Sequence, residues 1–267
     1  MQSSLASPVE RMDLRDRPGR VFVVGDLHGM AHALDQLLAV AAFDPGQDLL
    51  WSLGDLADRG PYSPRCLDLL DEPWFRAIRG NHEQLLLDAV DDHEGWLNWN
   101  LNGGDWSQGY PWDQGDLCLR LDALPYAADL KTRAGHIGLV HADVDPGSAW
   151  PDFLDSIERD GFLARELALW SRASASRASH GLPGRRVGGV DLVLVGHSIV
   201  ETAFQWGNIW FLDTGAVATS DPTAALSMLE IHPELKLWSL PTAGDPTAGL
   251  WWSHRMERVA EAMARAR

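Results

Sequence analysis

The sequence has few cysteines, no long apolar run and no apolar N-terminal segment. Its two cysteines, Cys66 and Cys118, lack CxxC spacing, which excludes a disulfide framework and a zinc ribbon. No apolar run approaches the roughly 20 residues that a membrane-spanning helix needs, and the first residues lack the apolar core of a signal peptide. We therefore expect a protein of a reducing compartment, the cytoplasm.

Basic residues are also scarce relative to acidic ones. The chain carries 22 Lys and Arg against 38 Asp and Glu, a formal net charge of −16 at pH 7. Because an acidic surface repels polyanions, we expect neither nucleic acid nor a membrane as a partner, and no obligate protein partner is evident. A site for an anionic substrate must then carry local positive charge, supplied by metal ions or by converging arginines.

Short apolar runs that end in polar residues recur along the chain and predict buried strands. The first five runs cover residues 21–26, 49–55, 75–81, 136–142 and 191–197. Helix-like stretches at 32–43 and 81–90 alternate with the early runs, which indicates a layered α/β fold. Three later runs, at 208–215, 224–231 and 235–240, have little helix between them and predict a second, more antiparallel sheet.

The remaining segments define the predicted domain organisation. Residues 1–18 are polar and predict a flexible N-terminal segment, and a single domain is expected over 19–245. Residues 246–267 carry an apolar helical stripe and predict a C-terminal helix packed on that domain. Residues 93–124 combine tryptophans with Asn and Gly and predict a helical cap near the site. Residues 171–189, rich in Arg, Ser and Gly, predict a mobile loop whose role stays open.

Side chains that can bind metals follow the first five predicted strands in turn. They are Asp26 and His28, Asp55, Asn81 with His82, His141 and His197. Because loops at the C-terminal ends of strands in α/β sheets converge on one crevice, we expect these side chains in one place. Imidazole, carboxylate and amide ligands without thiolate suit Mn²⁺, Fe or Zn²⁺. A shared carboxylate could bridge two such ions, which lower the pKa of bound water and clamp a phosphoryl group.

These residues fall within short motifs that resemble a known family. The motifs are GDLHG (25–29), GDLADRG (54–60), GNHE (80–83), LNGGDW (101–106), VHAD (140–143), LWSR (169–172) and GHS (196–198). In order and spacing they resemble the phosphoprotein phosphatase branch of the calcineurin-like metallophosphoesterases, and most closely its compact bacteriophage-lambda and bacterial serine/threonine members. The resemblance implies an α/β fold in which helices flank a β-sandwich, with the metals at the C-terminal strand ends.

The resemblance also implies a set of metal ligands. Asp26 and His28 would bind the first ion, and Asp55 would bridge both. The second ion would be completed by Asn81, His141 and His197. The implied cofactors are two divalent ions, Mn²⁺ with Fe or Zn²⁺ as alternatives. Ser198 stands where Thr is commoner in the family, and it keeps the hydroxyl group.

Catalytic and phosphate-binding roles follow from the same resemblance. His82 would donate a proton to the leaving alkoxide, and Asp58 would hold its imidazole ring. Arg59 and Arg172, with Asn81, would bind the phosphate oxygens, for which a guanidinium offers paired donors.

Two further positions have plainer interpretations. Glu83 opens the helix after its motif, where an acidic residue in the first turn is favourable. The segment LDTGAV (212–217) matches the family but is equally well explained as a strand end and a turn.

The predicted function is metal-dependent hydrolysis of phosphate monoesters on phosphorylated proteins or peptides. Serine/threonine protein phosphatase activity is expected, by direct attack of a metal-bridging hydroxide on phosphorus, and phosphotyrosine stays open as a substrate. A symmetrical dinucleoside-tetraphosphate hydrolase is the main alternative, because it shares the scaffold and metal set. A broad phosphatase and a cyclic-nucleotide phosphodiesterase also stay open. The motif residues 58–60 and 82–83 favour the protein phosphatase. From a different class, an inert phosphopeptide-binding scaffold is the remaining alternative.

Overall fold

The computed structural model describes residues 7–108, 114–145 and 147–245. The C-terminal helix predicted over 246–267 lies outside the described residues. Across the described ranges, no helix has the length and apolar character needed to cross a membrane.

Eleven strands lie in the described part of the chain. They are β1 (Val9–Asp13), β2 (Val21–Val24), β3 (Leu49–Ser52), β4 (Phe75–Ala77), β5 (Ala127–Lys131), β6 (His136–Val140), β7 (Leu192–Val195), β8 (Phe204–Trp206), β9 (Ile209–Phe211), β10 (Ala225–His232) and β11 (Lys236–Pro241). One sheet has the order β1-β5-β6-β7-β9-β8, and the other has the order β11-β10-β2-β3-β4.

Eight α-helices lie in the same ranges. They are α1 (Ala31–Val40), α2 (Ser63–Asp68), α3 (Asn81–Asp91), α4 (His93–Leu101), α5 (Gln114–Asp122), α6 (Trp150–Glu158), α7 (Phe162–Trp170) and α8 (Ala173–Ser179). Short 3-10 helices occupy Leu69–Asp71 and Gly104–Ser107. Helices α1 to α5 pack on the outer face of the five-stranded sheet, and α6 and α7 pack on the outer face of the six-stranded sheet.

Strand β2 shows why the apolar runs become central strands. All four of its residues are buried, and they alternate between two cores. Phe22 and Val24 face the core beneath α1 to α5, whereas Val21 and Val23 face the core between the two sheets. A strand covered on both faces needs an unbroken apolar run, because successive side chains point to opposite sides. The predicted sandwich flanked by helices is confirmed.

The prediction that the three later runs form a second, more antiparallel sheet together is wrong. Strand β9 pairs in parallel with β7 inside the six-stranded sheet. Strands β10 and β11 instead extend the five-stranded sheet, where β10 pairs antiparallel with β2. Pairing between strands that are distant in sequence depends on residues of both strands. The order of the apolar runs along the chain therefore does not determine which strands pair.

Two predictions about irregular segments need correction. Within 1–18, Val9–Asp13 forms an edge strand that pairs with β5, because its backbone groups find partners at that sheet edge. Within 171–189, seven residues form α8, and Val187 is buried and donates its N–H to Asn208 Oδ1 at 2.7 Å. The helical cap predicted over 93–124 is confirmed for α4, the second 3-10 helix and α5.

Candidate metal centre

The predicted metal-binding side chains meet where the C-terminal edges of the two sheets adjoin. Asp26, His28, Asp55 and Asn81 follow strands β2, β3 and β4 of one sheet, whereas His141 and His197 follow β6 and β7 of the other. All six are buried. The five-stranded sheet therefore supplies four of these side chains and the six-stranded sheet two, and the packing of the sandwich brings them together.

Left-handed backbone conformations aim several of these side chains. The φ angles are 42° at His28, 50° at Asp55, 74° at Asp58, 69° at Arg59 and 61° at His197. Non-glycine residues rarely adopt positive φ, which costs about 1–3 kcal/mol at each position. Such strain is tolerated where surrounding contacts enforce it, and it concentrates here on the loops that form the site.

Asp55 lies between two groups of imidazoles. Its Oδ2 atom is 3.4 Å from His28 Nε2, and its Oδ1 atom is 3.5 Å from His141 Nε2. The two carboxylate oxygens thus face different sides. Two clusters of potential ligand atoms result, one formed by His28, Asp55 and His82, and the other by Asp55, His141 and His197.

The imidazoles of His28, His141 and His197 are each oriented by a backbone carbonyl. Nδ1 of His28 lies 3.0 Å from the Ala57 oxygen, and Nδ1 of His141 lies 2.7 Å from the Leu53 oxygen. His197 is held by its other nitrogen, Nε2, at 3.2 Å from a carbonyl oxygen. A ring nitrogen that donates to a carbonyl leaves the opposite nitrogen with a lone pair, which fixes the tautomer required of a ligand.

Burial keeps these rings neutral. It lowers the pKa of His28 well below its ordinary value, with a further contribution from the positive charge of Arg59. It lowers the pKa of His197 to about 3, aided by the neighbouring His141 ring, and it also lowers the pKa of His141. Neutral imidazoles with free lone pairs are the form that binds divalent metals.

Asn81 completes the second cluster. Its Oδ1 atom lies 2.9 Å from His141 Nε2 and 2.9 Å from His197 Nδ1. These are the two ring nitrogens that are left free of backbone carbonyls. A carboxamide oxygen, two imidazole nitrogens and a carboxylate oxygen thus converge within the buried site, and this donor set fits a divalent transition metal.

Asp26 lies beside the clusters, with its carboxylate accepting the backbone N–H of His197 at 3.0 Å. Burial raises the pKa of Asp26 well above its ordinary value, and the negative charges of Asp213 and Asp55 raise it further. Burial and the charge of Asp55 likewise raise the pKa of Asp213 to about 6. Bound cations stabilise carboxylates that lie this close together. The site is therefore suited to binding metal cations.

Asp213 was not predicted as a site residue. It follows β9 at the start of the segment 213–217, and it is buried. The family match over 212–217 is the signal that could have identified it, but the same residues also read as an ordinary strand end. Only the pairing of β9 with β7 places this carboxylate at the site.

Glu83 has a role beyond the one expected of an acidic residue at a helix start. It is buried, and its carboxylate accepts the backbone N–H groups of Asp55, Leu56 and Gly80, each at 2.8 Å. Burial, with repulsion from Asp55, raises the pKa of Glu83 to about 7. Its bond to Gly80 has the capping-box spacing that the sequence shows. Its bonds to the loop that carries Asp55 depend on tertiary structure.

His82 and Asp58 form a buried pair. Nδ1 of His82 lies 2.6 Å from Oδ2 of Asp58. The Asp58 carboxylate also accepts the indole N–H of Trp99 at 2.9 Å and that of Trp106 at 2.7 Å. The helical cap therefore contributes two donors to the carboxylate that orients His82, a connection that sequence reasoning did not identify.

The two predicted phosphate-binding arginines approach the clusters from different sides. Nη1 of Arg59 lies 2.7 Å from His28 Nε2, and its Nη2 lies 2.6 Å from His82 Nε2. Since His28 Nε2 has a single lone pair, a cation bound there would replace the Arg59 hydrogen bond. Arg172 donates through Nη1 to the His197 carbonyl at 2.7 Å and to Ser198 Oγ at 3.3 Å.

Comparison with known proteins agrees with this geometry. The profile of the family described as calcineurin-like phosphoesterase matches residues 19–201. The chain is 36% identical over 211 residues to serine/threonine-protein phosphatase 1 of Salmonella typhimurium, covering 77% of this chain and 90% of that protein. It is 42% identical over 74 residues to the symmetrical bis(5'-nucleosyl)-tetraphosphatase of Acidovorax ebreus, but that match covers 26% of this chain and 26% of that protein.

A solved structure shares the fold. The protein serine/threonine phosphatase from Saccharomyces cerevisiae superposes with a TM-score of 0.59 at 16% identity, over 87% of this chain and 84% of that one. The profile match covers both halves of the sandwich that contribute ligands, from β2 to the loop after β7. The protein belongs to the calcineurin-like metallophosphoesterase family.

Proposed function

We propose that this protein is a metal-dependent phosphomonoesterase that removes phosphate from phosphoserine and phosphothreonine in proteins or peptides. The observation that carries the proposal is the position of Asp55, whose two oxygens face His28 on one side and His141 on the other, at 3.4 Å and 3.5 Å. A bridging carboxylate between two ligand sets is the arrangement used for hydrolysis of phosphate esters by two metals.

The metal ligands in this proposal divide into two sets. Asp26 and His28 serve one ion, Asn81, His141 and His197 serve the other, and Asp55 serves both. Oxygen and imidazole donors without thiolate favour Mn²⁺, with Fe and Zn²⁺ as alternatives. When bound, such a pair of ions activates water for attack on phosphorus and neutralises charge on the phosphoryl oxygens.

Side chains of this protein supply the remaining chemistry. His82 delivers a proton from Nε2 to the leaving alkoxide once Arg59, which lies 2.6 Å from that nitrogen, turns to the phosphoryl oxygens, and the bond from Nδ1 to Asp58 keeps the ring oriented. Arg59 and Arg172, with the amide of Asn81, bind the phosphoryl oxygens. Phosphoryl transfer needs mainly positioning and charge stabilisation, so these groups suffice for catalysis.

Two observations support a protein substrate over a dinucleoside tetraphosphate. The protein phosphatase relative matches most of both chains, whereas the tetraphosphatase match covers about a quarter of each. The carboxylate of Asp58, which orients His82, lies in the DRG motif that favours the protein phosphatases. A phosphopeptide-binding scaffold would not need the buried His82–Asp58 pair.

We also propose a cytoplasmic location. Cys66 forms no disulfide, and burial raises the pKa of its thiol to about 12, so that thiol is chemically inert. A buried thiol of this kind fits a reducing compartment. Fractionation of the producing cells, with the protein detected in the soluble cytosolic fraction, checks this assignment.

The proposed function is tested with metal-stripped protein. Phosphate release is measured with and without Mn²⁺ on a phosphoserine peptide, a phosphothreonine peptide, a phosphotyrosine peptide and diadenosine tetraphosphate in parallel. We expect Mn²⁺-dependent release from the first two peptides, with diadenosine tetraphosphate hydrolysed at least tenfold more slowly. Faster formation of ADP than of peptide phosphate would transfer the assignment to the tetraphosphatase. Absence of turnover with Mn²⁺, Fe²⁺ and Zn²⁺ would refute an enzymatic function.

A further inference from the structure

A groove of about 550 Å³ lies along α8, and two of its lining residues, Arg172 and Ser198, adjoin His197 of the candidate metal centre. It lies between that helix and the segment 198–204, which connects β7 to β8. The lining residues are Arg172, Ala175, Ser176, Ala178, Ser179, Ser198, Ile199, Val200, Glu201 and Phe204. The volume falls within the roughly 300–1,000 Å³ that is typical of ligand sites.

Arg172 connects the groove to the site. Its guanidinium donates to the carbonyl of His197 and to the hydroxyl of Ser198, and the same residue lines the groove. A phosphoryl group bound by Arg172 would therefore lie at the mouth of the groove. Whatever is covalently attached to that phosphoryl group can extend along it.

The floor of the groove is apolar and well supported. Val200, Phe204, Ala175 and Ala178 are partly buried and pack against the core beneath the six-stranded sheet. Ile199 beside them is 57% exposed. Its side chain is packed over Gly215, where an added Cβ would lie 3.1 Å from Ile199 Cγ2. An isoleucine fixed in this exposed position is available to contact a ligand.

The charges around the groove disfavour a polyphosphate. Of the lining residues in the described part of the chain, Arg172 is the one with a positive charge, and it lies at the end next to the site. Glu201 contributes an exposed negative charge. A chain of phosphates extending along this surface would lose water without gaining cationic partners. An uncharged apolar side chain would lose only unfavourable hydration.

We propose that this groove binds the polypeptide that flanks the phosphorylated residue, with an apolar substrate side chain against Ile199, Val200 and Phe204. The inference rests on the proposed protein phosphatase activity and extends it to substrate selection. It also assigns a role to the segment 171–189, since α8 forms one wall. The exposed hydroxyl of Ser176 on that wall can pair with the backbone of an extended peptide, whereas that of Ser179 already donates to the Ser176 carbonyl at 2.8 Å.

The test compares phosphoserine peptides that differ in the flanking residues. One pair carries Leu or Gly on the N-terminal side of the phosphoserine, and a second pair carries them on the C-terminal side. We expect kcat/KM of the wild-type protein to be about tenfold higher with Leu on one of the two sides, as burial of one aliphatic side chain permits. Ile199→Asp should abolish this preference, so that its kcat/KM values for the Leu and Gly peptides of each pair agree within twofold.

Val40→Asp is the matched control, because Val40 is also an exposed β-branched residue, 64% exposed at the end of α1. It should retain the full preference for Leu. If Ile199→Asp does not fold, Ile199→Ser replaces it, with the same expected loss. Wild-type turnover that is independent of the flanking residue on both sides would overturn the proposal, as would a preference that both variants of Ile199 retain.

Failure of the proposed function gives a different result. In that case the wild-type protein would release phosphate from none of the peptides, whatever their flanking residues. Hydrolysis of diadenosine tetraphosphate that is impaired by Ile199→Asp but not by Val40→Asp would also overturn the proposal, because it would assign the groove to a nucleoside.

Discussion

Nδ1 of His82 lies 2.6 Å from Oδ2 of Asp58, and both side chains are buried. The bond fixes the imidazole with its opposite nitrogen, Nε2, towards Arg59 and the metal ligands. His28 and His141, in contrast, donate to backbone carbonyls. The carboxylate partner of His82 and the carbonyl partners of His28 and His141 are in line with the different roles proposed for these rings.

His82→Ala should lower kcat on a phosphoserine peptide by about 10²–10⁴-fold, because the alkoxide leaves without a proton donor. The loss on p-nitrophenyl phosphate should be much smaller, since p-nitrophenolate leaves without protonation. Metal content, measured by elemental analysis, should stay at the wild-type value. Loss of metal in this variant would show that His82 is a ligand. The exposed His93 provides the control, because His93→Ala should change neither activity nor metal content.

Trp106→Phe should destabilise the protein by about 1.5–3 kcal/mol, because it removes a donor to the buried Asp58 carboxylate. Urea unfolding of the metal-free protein measures the change. The matched control is Trp210→Phe, since Trp210 is also half-buried and its indole nitrogen has no hydrogen-bond partner among the described residues. Equal destabilisation by both substitutions would mean that ring packing, and not the bond to Asp58, dominates.

Asp55→Asn should weaken both metal positions, because each oxygen of Asp55 faces a different ligand set. We expect two Mn²⁺ ions for each wild-type chain and fewer than one for the variant after dialysis, by elemental analysis. Asp129→Asn is a suitable control, since Asp129 bonds to His136 and Trp150 away from the clusters. Two fully occupied positions in Asp55→Asn would refute the bridging role.

The contribution of Asp213 to the stability of the metal-free protein should fall as pH rises through about 6. Burial and the charge of Asp55 raise the pKa of Asp213 to about 6, so the folded protein binds this proton more tightly than the unfolded chain does. The contribution is fully present below about pH 4 and is lost as the pH rises through about 6, and by pH 8 the loss amounts to about 3 kcal/mol, at about 1.4 kcal/mol per pKa unit.

Asp213→Asn should remove this part of the pH dependence. Urea unfolding with a chelator present, at pH 4.5 and pH 8, measures it in the wild type and the variant. Asp68→Asn, at an exposed position, should leave the dependence unchanged. A fall in stability between these pH values that is the same in wild type and Asp213→Asn would contradict the prediction. Added Mn²⁺ should restore stability at pH 8, because the cation offsets the buried negative charge.

The sequence by itself determined the family, the sandwich flanked by helices and the set of candidate ligands. Apolar runs such as 21–24 and 192–195 predict strands covered on both faces, because burial on two sides requires unbroken hydrophobicity. The polar residues that follow those runs can be identified from the sequence, because they are adjacent to the predicted strands. Their convergence could also be predicted, because the C-terminal ends of neighbouring strands lie at the same edge of a sheet.

Only the tertiary structure decided how residues far apart in sequence share one site. The pairing of β9 with β7 brings Asp213 to the metal centre, and the bonds from Asp55 and Leu56 make Glu83 a support of the site as well as a helix cap. The groove beside Arg172 likewise depends on how α8 packs. Such contacts form only when the surfaces of two separate segments match. The sequence of one segment alone therefore does not determine which other segment packs against it.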